Sequence, residues 1–406
     1  MTAAGKNKGG VRARSCEGHP AFTHNFKRVA ILPKSQRSSS TIVVSANSSW
    51  NIVNFRAGLI RGLIARGHRV TVIAPPDEHS GRIESLGAAY RPIELSSSGL
   101  SPLQDMRSLV AYYRLLNEIR PQAYLAFTSK PNIYGALAAQ RLGIRVLNNI
   151  SGLGVAFSEP GVLQTLVSAL YRAGLRRSDV VFFQNPDDRQ LFLDRALVGI
   201  GQARLISGSG VDLERFQPTD APRPEGPFRF LLVARMLWDK GVGQYIEAAR
   251  MLRSEGREAS FSLLGHAGVD NRSAIGLDQL EQWQAEGVAN YLGSSDDVRP
   301  HLSRADCVVL PSYYREGIPR SLIEAAAMGR PIITTNEVGC REAVDDGVSG
   351  FLCTARSAGS LAKAMRRMMD LDPGQRAAMG KAGRAKAVRQ FDERSIAQAY
   401  STELDR

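Results

Sequence analysis

Several features that assign a chain to a familiar class are missing from this sequence. No run of about eighteen consecutive apolar residues occurs, so the sequence predicts no membrane-spanning helix. The four cysteines (Cys16, Cys307, Cys340 and Cys353) form neither a C-x-x-C pair nor a metal-ligand pattern with the six histidines. Few and unpatterned cysteines in 406 residues favour a reducing compartment. We therefore expect a cytoplasmic protein without a metal-binding site.

The start of the chain also lacks the apolar core and small-residue cleavage site of a signal peptide. Residues 1–40 contain eight Lys or Arg and one acid, and we expect them to form a basic, disordered extension. Residues 41–215 contain 19 basic and 13 acidic residues, whereas residues 216–406 contain 25 of each. The net charge of +13 therefore lies in the first half, where it suits an anionic surface or substrate, although ordinary surface charge would also account for it.

Strand and helix patterns alternate in two series, which a proline-rich segment, residues 217–227, separates. The first series predicts strands at 41–44, 69–74, 123–127, 146–150 and 180–183, with helices at 52–66, 106–119, 134–142 and 163–176. The second predicts strands at 230–234, 260–264, 307–311 and 332–335, with helices at 244–253, 277–286 and 360–369. Such alternation indicates parallel sheets covered by helices. We predict a domain over residues 41–216, a hinge over 217–227 and a second domain over 228–406.

The most informative segment of the second series follows the strand at 307–311. Pro319 suits the first turn of a helix, whose positive end favours a diphosphate. Glu316 and Glu324 lie eight residues apart and are suited to bind the hydroxyls of a sugar and of a ribose. Taken alone the spacing also fits an ordinary helix, because Glu is a good helix former.

A pair of cations follows the strand at 230–234. Arg235 and Lys240 stand at its carboxyl end, where two cations can clamp a leaving diphosphate, although a solvated loop would explain the same pair. The one D-x-D sequence, Asp370-Leu371-Asp372, precedes Pro373, and we interpret it as surface rather than as a metal site. No G-x-G-x-x-G occurs, which disfavours a dehydrogenase.

In combination these segments resemble the family 4 retaining glycosyltransferases of the GT-B fold, over residues 41–400. The resemblance is carried by Gly208–Phe216, Leu231–Gly241, the strand ending at Gly265, the E-x7-E motif from Glu316 to Glu324, Gly339–Glu342 and Asp346–Phe351. It implies an α/β fold in which two Rossmann-like domains face each other across a deep interdomain cleft. It also implies a retaining, metal-independent hexosyl- or N-acetylhexosaminyl-transferase. Such an enzyme needs no cofactor, because the nucleotide-sugar, here expected to be a UDP-hexose or a UDP-N-acetylhexosamine, is a co-substrate.

The resemblance assigns roles to the motif residues. The catalytic residues would be Arg235, Lys240 and Glu316. The donor-binding residues would be Gly317, Ile318, Pro319, Arg320, Ser321 and Glu324. Because both glutamates are then assigned to the donor, no carboxylate nucleophile remains, and we expect same-face attack in which the departing phosphate takes the acceptor proton.

The first half departs from the family pattern, because Ser45-Ala46-Asn47-Ser48-Ser49-Trp50-Asn51 replaces the usual glycine-rich loop after the first strand. We expect acceptor contacts from this loop and from two later strand ends. The residues are Asn47, Trp50, Asn51, Lys130, Ser151 and Gly152. Trp50 could equally be core, and the later loops could be ordinary strand ends.

The two later strand ends, residues 126–132 and 147–154, resemble the subgroup that builds capsule, O-antigen and other exopolysaccharide repeats on a lipid carrier. We therefore expect a polyprenyl-diphosphate-linked saccharide as acceptor and peripheral contact with the inner face of the cytoplasmic membrane. The helix at 163–176, with Arg172, Arg176 and Arg177 near its end, is suited to that contact, although amphipathic helices also cover their own sheets.

Two alternatives stay open. A sugar-nucleotide epimerase uses the same pair of facing domains. A non-catalytic basic protein that binds membranes or nucleic acid is suggested by the pI near 9.8. The intact cleft motifs in the neutral half, residues 216–406, disfavour this alternative, and we expect no nucleic acid as a partner.

Overall fold

A computed structural model of the chain describes residues 39–95, 101–154, 157, 161–219 and 226–406. The expected N-terminal extension lies outside the described residues except for its last two. Most of the expected hinge, residues 220–225, also lies outside them. All that follows concerns the unit that runs from Ser39 to Arg406.

The first domain contains a seven-stranded parallel sheet with the order β3-β2-β1-β4-β5-β6-β7. Its strands are β1 (Thr41–Ser45), β2 (Arg69–Ala74), β3 (Ala89–Pro92), β4 (Ala123–Phe127), β5 (Arg145–Ile150), β6 (Val180–Phe183) and β7 (Ala203–Leu205). Apolar β-branched runs form the central strands because both faces of the sheet are buried. The strand order reverses between β1 and β4, which opens a crevice at their carboxyl ends.

Helices cover both faces of this sheet. They are α1 (Ser49–Phe55), α2 (Ala57–Ala65), α3 (Gly81–Glu84), α4 (Pro102–Ile119), α5 (Ala136–Arg141), α6 (Val162–Leu175) and α7 (Pro186–Asp194). The single helix predicted at 52–66 is wrong, because Arg56 leaves the helical conformation, with φ −123° and ψ 0°, and separates α1 from α2. The helix predicted at 134–142 is preceded by a π-helical turn, Pro131–Gly135.

The second domain contains a six-stranded parallel sheet with the order β10-β9-β8-β11-β12-β13. Its strands are β8 (Phe228–Val233), β9 (Ala259–Leu264), β10 (Asn290–Tyr291), β11 (Cys307–Leu310), β12 (Ile332–Thr335) and β13 (Gly350–Cys353). Its helices are α8 (Val242–Ser254), α9 (Leu277–Ala285), α10 (Arg299–Arg304), α11 (Arg320–Ala327), α12 (Ala358–Asp370) and α13 (Pro373–Gln390). The predicted fold class, two Rossmann-like α/β domains, is confirmed.

The last helix, α14 (Glu393–Leu404), returns to the first domain. Ile396, Ala397 and Tyr400 belong to the core that underlies β1 and β2, and Arg145 donates hydrogen bonds to the carbonyls of Glu403 and Leu404. We expected residues 228–406 to form one domain, but the structure places α14 on the other. The apolar face of α14 packs against α2 instead of the second sheet.

Local contacts explain the D-x-D sequence. Asp370 ends α12 and pairs with Arg257 at 2.6 Å, and Asp372 caps α13 in a capping box with Gln375. Within the described parts of the chain, no group of three or more His, Cys, Asp or Glu is arranged to hold a metal ion. No helix among the described residues has the length and apolar character needed to cross a membrane.

Candidate active site in the interdomain cleft

The carboxyl ends of the two sheets face each other across a cleft of about 1090 Å³. Most of its wall residues lie within the segments 47–58, 128–134, 151–154, 209–216, 233–240, 264–266, 294–298 and 314–324. Pockets for small ligands commonly measure roughly 300–1,000 Å³, so this cleft has room for a nucleotide-sugar together with part of an acceptor. Every site residue expected from the sequence lines it.

The predicted catalytic pair Lys240 and Glu316 is in direct contact. Lys240 ends a 3-10 turn after β8 and is buried, and its Nζ lies 2.5 Å from Glu316 Oε2. Ser312 Oγ donates to the other carboxylate oxygen of Glu316 at 2.7 Å. Gly241, with φ +76°, lets the turn approach β11 closely, because a Cβ there would overlap the Pro311 carbonyl. The lysine and the glutamate are therefore placed as one unit.

Arg235 has a different environment from Lys240. It follows the end of β8, its side chain is exposed, and it lines the cleft. Gly265, with φ +147°, allows the neighbouring strand to pass, because a Cβ there would overlap the Ala234 carbonyl. A diphosphate would meet an open guanidinium at Arg235 and would compete with Glu316 for Lys240.

Glu324 lies in the second turn of α11 and pairs with Arg320, whose Nε donates to its carboxylate at 2.9 Å. Arg320 also donates to the Gly210 carbonyl at 2.5 Å and to Ser209 Oγ at 3.4 Å. Burial raises the pKa of Glu324, an effect that Arg320 opposes. A partly desolvated carboxylate of this kind is a strong acceptor for ribose hydroxyls.

The start of α11 offers fewer backbone donors than the sequence suggests. The Gly317 N–H donates to the Ser151 carbonyl at 3.0 Å, and the Ile318 N–H donates to Gln184 Oε1 at 3.2 Å. Pro319 has no N–H. Of the five residues expected to bind donor phosphates, only Arg320 and Ser321 therefore have N–H groups of the first helical turn, which an α-helix leaves unpaired.

Further hydrogen bonds join the two domains at the loop before α11, residues 311–319, which we call the catalytic loop. Gly154 N–H donates to the Arg315 carbonyl at 3.0 Å, and Arg315 Nε donates to the buried Asp188 at 2.8 Å. Gly152 has φ +114°, and a Cβ there would lie 2.5 Å from the Gly317 nitrogen. In this conformation Ser151 and Gly152 contact the second domain, and their expected backbone contact with an acceptor stays a prediction.

The remaining acceptor candidates line the wall of the first domain. Asn47 is exposed, and Trp50 is half-buried with its ring edge-to-face on Phe55 at 5.0 Å. Asn51 Oδ1 is buried and has no hydrogen-bond partner among the described residues, so it is an acceptor open to a ligand hydroxyl. Lys130 is not a free cation, because its Nζ pairs with Asp105 at 2.9 Å.

Sequence reasoning missed several cleft residues that the fold brings in. They are Arg56, Thr128, Gln184 and Glu393. Thr128 follows β4 with φ +67° and accepts a hydrogen bond from the Asn47 N–H at 3.1 Å, so it holds the β1–α1 loop in place. None of the four stands in a spacing pattern, and a polar residue directly after a buried strand is the one available signal, for Thr128 and Gln184.

Two family models match the chain, one to each domain. A glycosyl transferase 4-like domain matches residues 52–208, and glycosyl transferases group 1 matches residues 214–386. A Campylobacter jejuni relative, N,N'-diacetylbacillosaminyl-diphospho-undecaprenol alpha-1,3-N-acetylgalactosaminyltransferase, is 27% identical over 89% of this chain and 97% of its own. The Escherichia coli UDP-Gal:alpha-D-GlcNAc-diphosphoundecaprenol alpha-1,3-galactosyltransferase is 24% identical over 67% of this chain and 72% of its own.

Among solved structures, Anabaena HepE in complex with UDP and glucose has the same fold. The TM-score is 0.72, with 17% identity over 90% of this chain and 99% of that chain. At this identity the similarity concerns the fold alone.

Proposed function

The chain belongs to the glycosyltransferases that join a glycosyl transferase 4-like domain to a group 1 domain, and we propose that it moves a sugar from a nucleotide-diphosphate donor to a lipid-linked saccharide in surface polysaccharide synthesis. The observation that carries the proposal is the placement of Lys240, Glu316 and Glu324 in one interdomain cleft beside the N-terminal end of α11. This arrangement gives a diphosphate a cation and a helix N-terminus, and gives sugar hydroxyls two carboxylates.

In the proposed reaction the donor diphosphate binds Arg235 and draws Lys240 away from Glu316, which frees Glu316 to accept hydrogen bonds from the donor sugar. The bond between the anomeric carbon and the phosphate oxygen breaks, and the two cations stabilise the charge on the departing diphosphate. The acceptor hydroxyl attacks from the same face, and its proton passes to the departing phosphate oxygen. The configuration is retained, and no metal ion is needed because the cations and the helix dipole balance the diphosphate charge.

The donor is proposed to be a UDP-hexose or a UDP-N-acetylhexosamine, and the acceptor a polyprenyl-diphosphate-linked saccharide. The names of the Campylobacter and Escherichia relatives support this choice, because both contain a diphosphate-linked undecaprenol and one contains UDP-Gal. In this chain the acceptor would lie against the first domain, where Asn47, Trp50 and Asn51 line the cleft opposite α11.

The first domain also presents an apolar surface that supports peripheral membrane contact. Leu103, Met106, Val110 and Tyr113 recur along one side of α4 and are exposed. Val162, Leu163 and Leu166 are exposed on α6, which buries only residues near its end. Both helices contact the π-helical turn 131–135, and α6 ends near Arg172, Arg176 and Arg177. We propose that this membrane face, defined by these seven apolar residues, lies on the anionic inner surface of the cytoplasmic membrane.

Cosedimentation with vesicles of phosphatidylglycerol and phosphatidylethanolamine tests the membrane face. The double substitution Met106→Asp with Leu166→Asp should weaken vesicle binding about tenfold or more, because two apolar contacts are replaced by charges that anionic lipid repels. Leu277→Asp, at an exposed apolar residue of α9 in the second domain, is the matched control and should bind as the unaltered protein does. Equal vesicle binding by all three proteins would remove the membrane proposal.

The transfer itself is tested by nucleotide release from a panel of UDP-, GDP- and ADP-sugars, with and without a polyprenyl-diphosphate-sugar acceptor. Acceptor-dependent release from one donor, absent in Glu324→Ala, would identify both the reaction and the donor. Conversion of a donor into its epimer without acceptor would favour the epimerase. Failure to release any nucleotide, together with salt-sensitive binding to anionic vesicles or nucleic acid, would favour the binding protein.

A further inference from the structure

A buried arginine that the sequence did not single out lies in the wall of the cleft. Arg56 separates α1 from α2 and is 4% exposed, and its guanidinium carbon lies 4.0 Å above the centre of the Phe127 ring. One terminal nitrogen, Nη2, donates to Ser151 Oγ at 3.3 Å. The Nε is buried and has no hydrogen-bond partner among the described residues. A guanidinium carries five N–H donors, and at least the Nε–H of Arg56 is available to hydrogen-bond a ligand.

No carboxylate among the described residues balances the charge of Arg56. Among the described residues none forms an ion pair with it, and the groups that act on its charge are Tyr400 and Arg320. Glu393, a carboxylate beside α2, lies against Gly58, and the cations that act on it are Arg320 and Arg61. Burial lowers the pKa of Arg56 to about 10, which shows how strongly its charged form is desolvated. A buried cation without an anion destabilises a protein unless a ligand supplies the anion.

We propose that Arg56 binds a phosphate group of a cleft ligand, on the first-domain wall opposite Arg320 of α11. The proposal rests on the proposed function, because that function brings diphosphates into the cleft. Phosphate oxygens match the chemistry of the site, since a planar guanidinium donates two parallel hydrogen bonds to them. The phosphate belongs either to the donor or to the lipid-linked acceptor, since both are diphosphate esters.

Isothermal titration calorimetry with two probes distinguishes these sources. UDP reports on the donor diphosphate, and geranyl diphosphate added to UDP-saturated protein reports on a prenyl diphosphate acceptor. Arg56→Gln should raise the dissociation constant of one probe about ten- to hundredfold, which corresponds to the loss of charge-assisted hydrogen bonds. Arg56→Lys keeps the charge but loses the planar fork, and should weaken the same probe by a smaller factor. Arg91→Gln removes a surface arginine paired with exposed Glu118 and should bind both probes normally.

Thermal unfolding separates this role from a purely structural one. If Arg56 only held Phe127 and Ser151 together, Arg56→Gln would lower the melting temperature while both dissociation constants stayed unchanged, and that result would overturn the proposal. If Arg56→Gln does not fold, Arg56→Lys decides by the same criterion. If Arg56→Gln leaves both dissociation constants unchanged in a protein that transfers sugar normally, only this site is refuted. Conversely, a protein that transfers no sugar but loses probe binding on Arg56→Gln keeps the site and loses the proposed function.

Discussion

At the scale of single residues, both glutamates of the E-x7-E motif pair with a cation. Glu316 contacts Lys240 and Glu324 contacts Arg320, so neither carboxylate is an isolated charge. Pairing keeps four charged side chains in fixed positions at the first turns of α11. A diphosphate that exchanges partners with such pairs meets groups that are already oriented, which lowers the reorganisation needed in the reaction.

We predict that Lys240→Ala lowers kcat/KM on the order of a hundredfold or more without unfolding the protein, because it removes one of the two cations proposed to stabilise the departing diphosphate. Steady-state kinetics and circular dichroism check this. Lys386→Ala is a matched control, since Lys386 is another buried lysine and pairs with Asp345 outside the cleft. It should affect stability alone. A folded Lys240→Ala variant with near-normal transfer would contradict the role.

The pH dependence of donor use should report on Glu324. Because burial raises the pKa of Glu324, this carboxylate takes up its proton at a higher pH than an exposed glutamate would. The neutral form accepts ribose hydrogen bonds poorly, so kcat/KM for the donor should fall as the pH falls through that raised pKa. Glu324→Gln should lower kcat/KM about tenfold or more and should abolish this acid limb.

The profile of Glu393→Gln provides the comparison, because burial also raises the pKa of Glu393 in the same cleft. Its acid limb should match that of the unaltered protein. If the acid limb persists in Glu324→Gln but is lost in Glu393→Gln, the titrating group is Glu393. That result would reject our interpretation.

At the scale of elements, the loop after β5 and the loop before α11 act as one structure. The contact between Ser151 and Gly317, supported by the pair of Asp188 and Arg315, ties the position of Glu316 to the first domain. A substitution in the loop after β5 should therefore displace Glu316 and lower the rate of catalysis.

Gly152→Ala tests this coupling. The added Cβ would lie 2.5 Å from the Gly317 nitrogen, and the resulting displacement of the catalytic loop should lower kcat/KM on the order of a hundredfold. Gly143→Ala is the control, because Gly143 also has a left-handed φ, +70°, but has no atom near its would-be Cβ. It should lose about 1–2 kcal/mol of stability through backbone strain and keep its activity. Equal activity in both variants would disprove the coupling.

At the scale of the whole molecule, the chain crosses between domains twice, once between β7 and Val211, which belongs to the core of the second domain, and once before α14. The second crossing places Tyr400 beneath Phe127 and Phe182, with ring centroids 5.8 and 4.5 Å away, and Asn149 donates to its hydroxyl at 2.7 Å. The end of the chain therefore stabilises the domain that contains its beginning, which links the stability of the two halves.

Tyr400→Ala should reduce the free energy of unfolding by about 3–5 kcal/mol, as expected for removing a large buried aromatic side chain. Urea denaturation measures this loss. Tyr113→Ala, at an exposed residue of α4, should change it by less than about 0.5 kcal/mol. A loss under about 1 kcal/mol for Tyr400→Ala would show that α14 contributes little to the first domain.

The sequence by itself determined the two α/β series, the positions of most strands along the chain and the motif residues of the cleft. These are local properties: apolar β-branched runs predict buried strands, and residues at strand ends meet at one sheet edge whatever the details of packing. The family resemblance, carried by segments in order along the chain, is confirmed by the matches to both domains.

Only the tertiary structure decided which groups are paired and which are free. Lys130 faces Asp105, Ser151 faces Gly317, and Arg56 lies buried on Phe127 with no acid beside it in the described part of the chain. These partners are separated by 25 to 166 positions or belong to different domains, so no spacing within a helix or strand encodes them. The docking of α14 has the same origin, because an amphipathic helix specifies that it must bury one face but not which sheet will cover it.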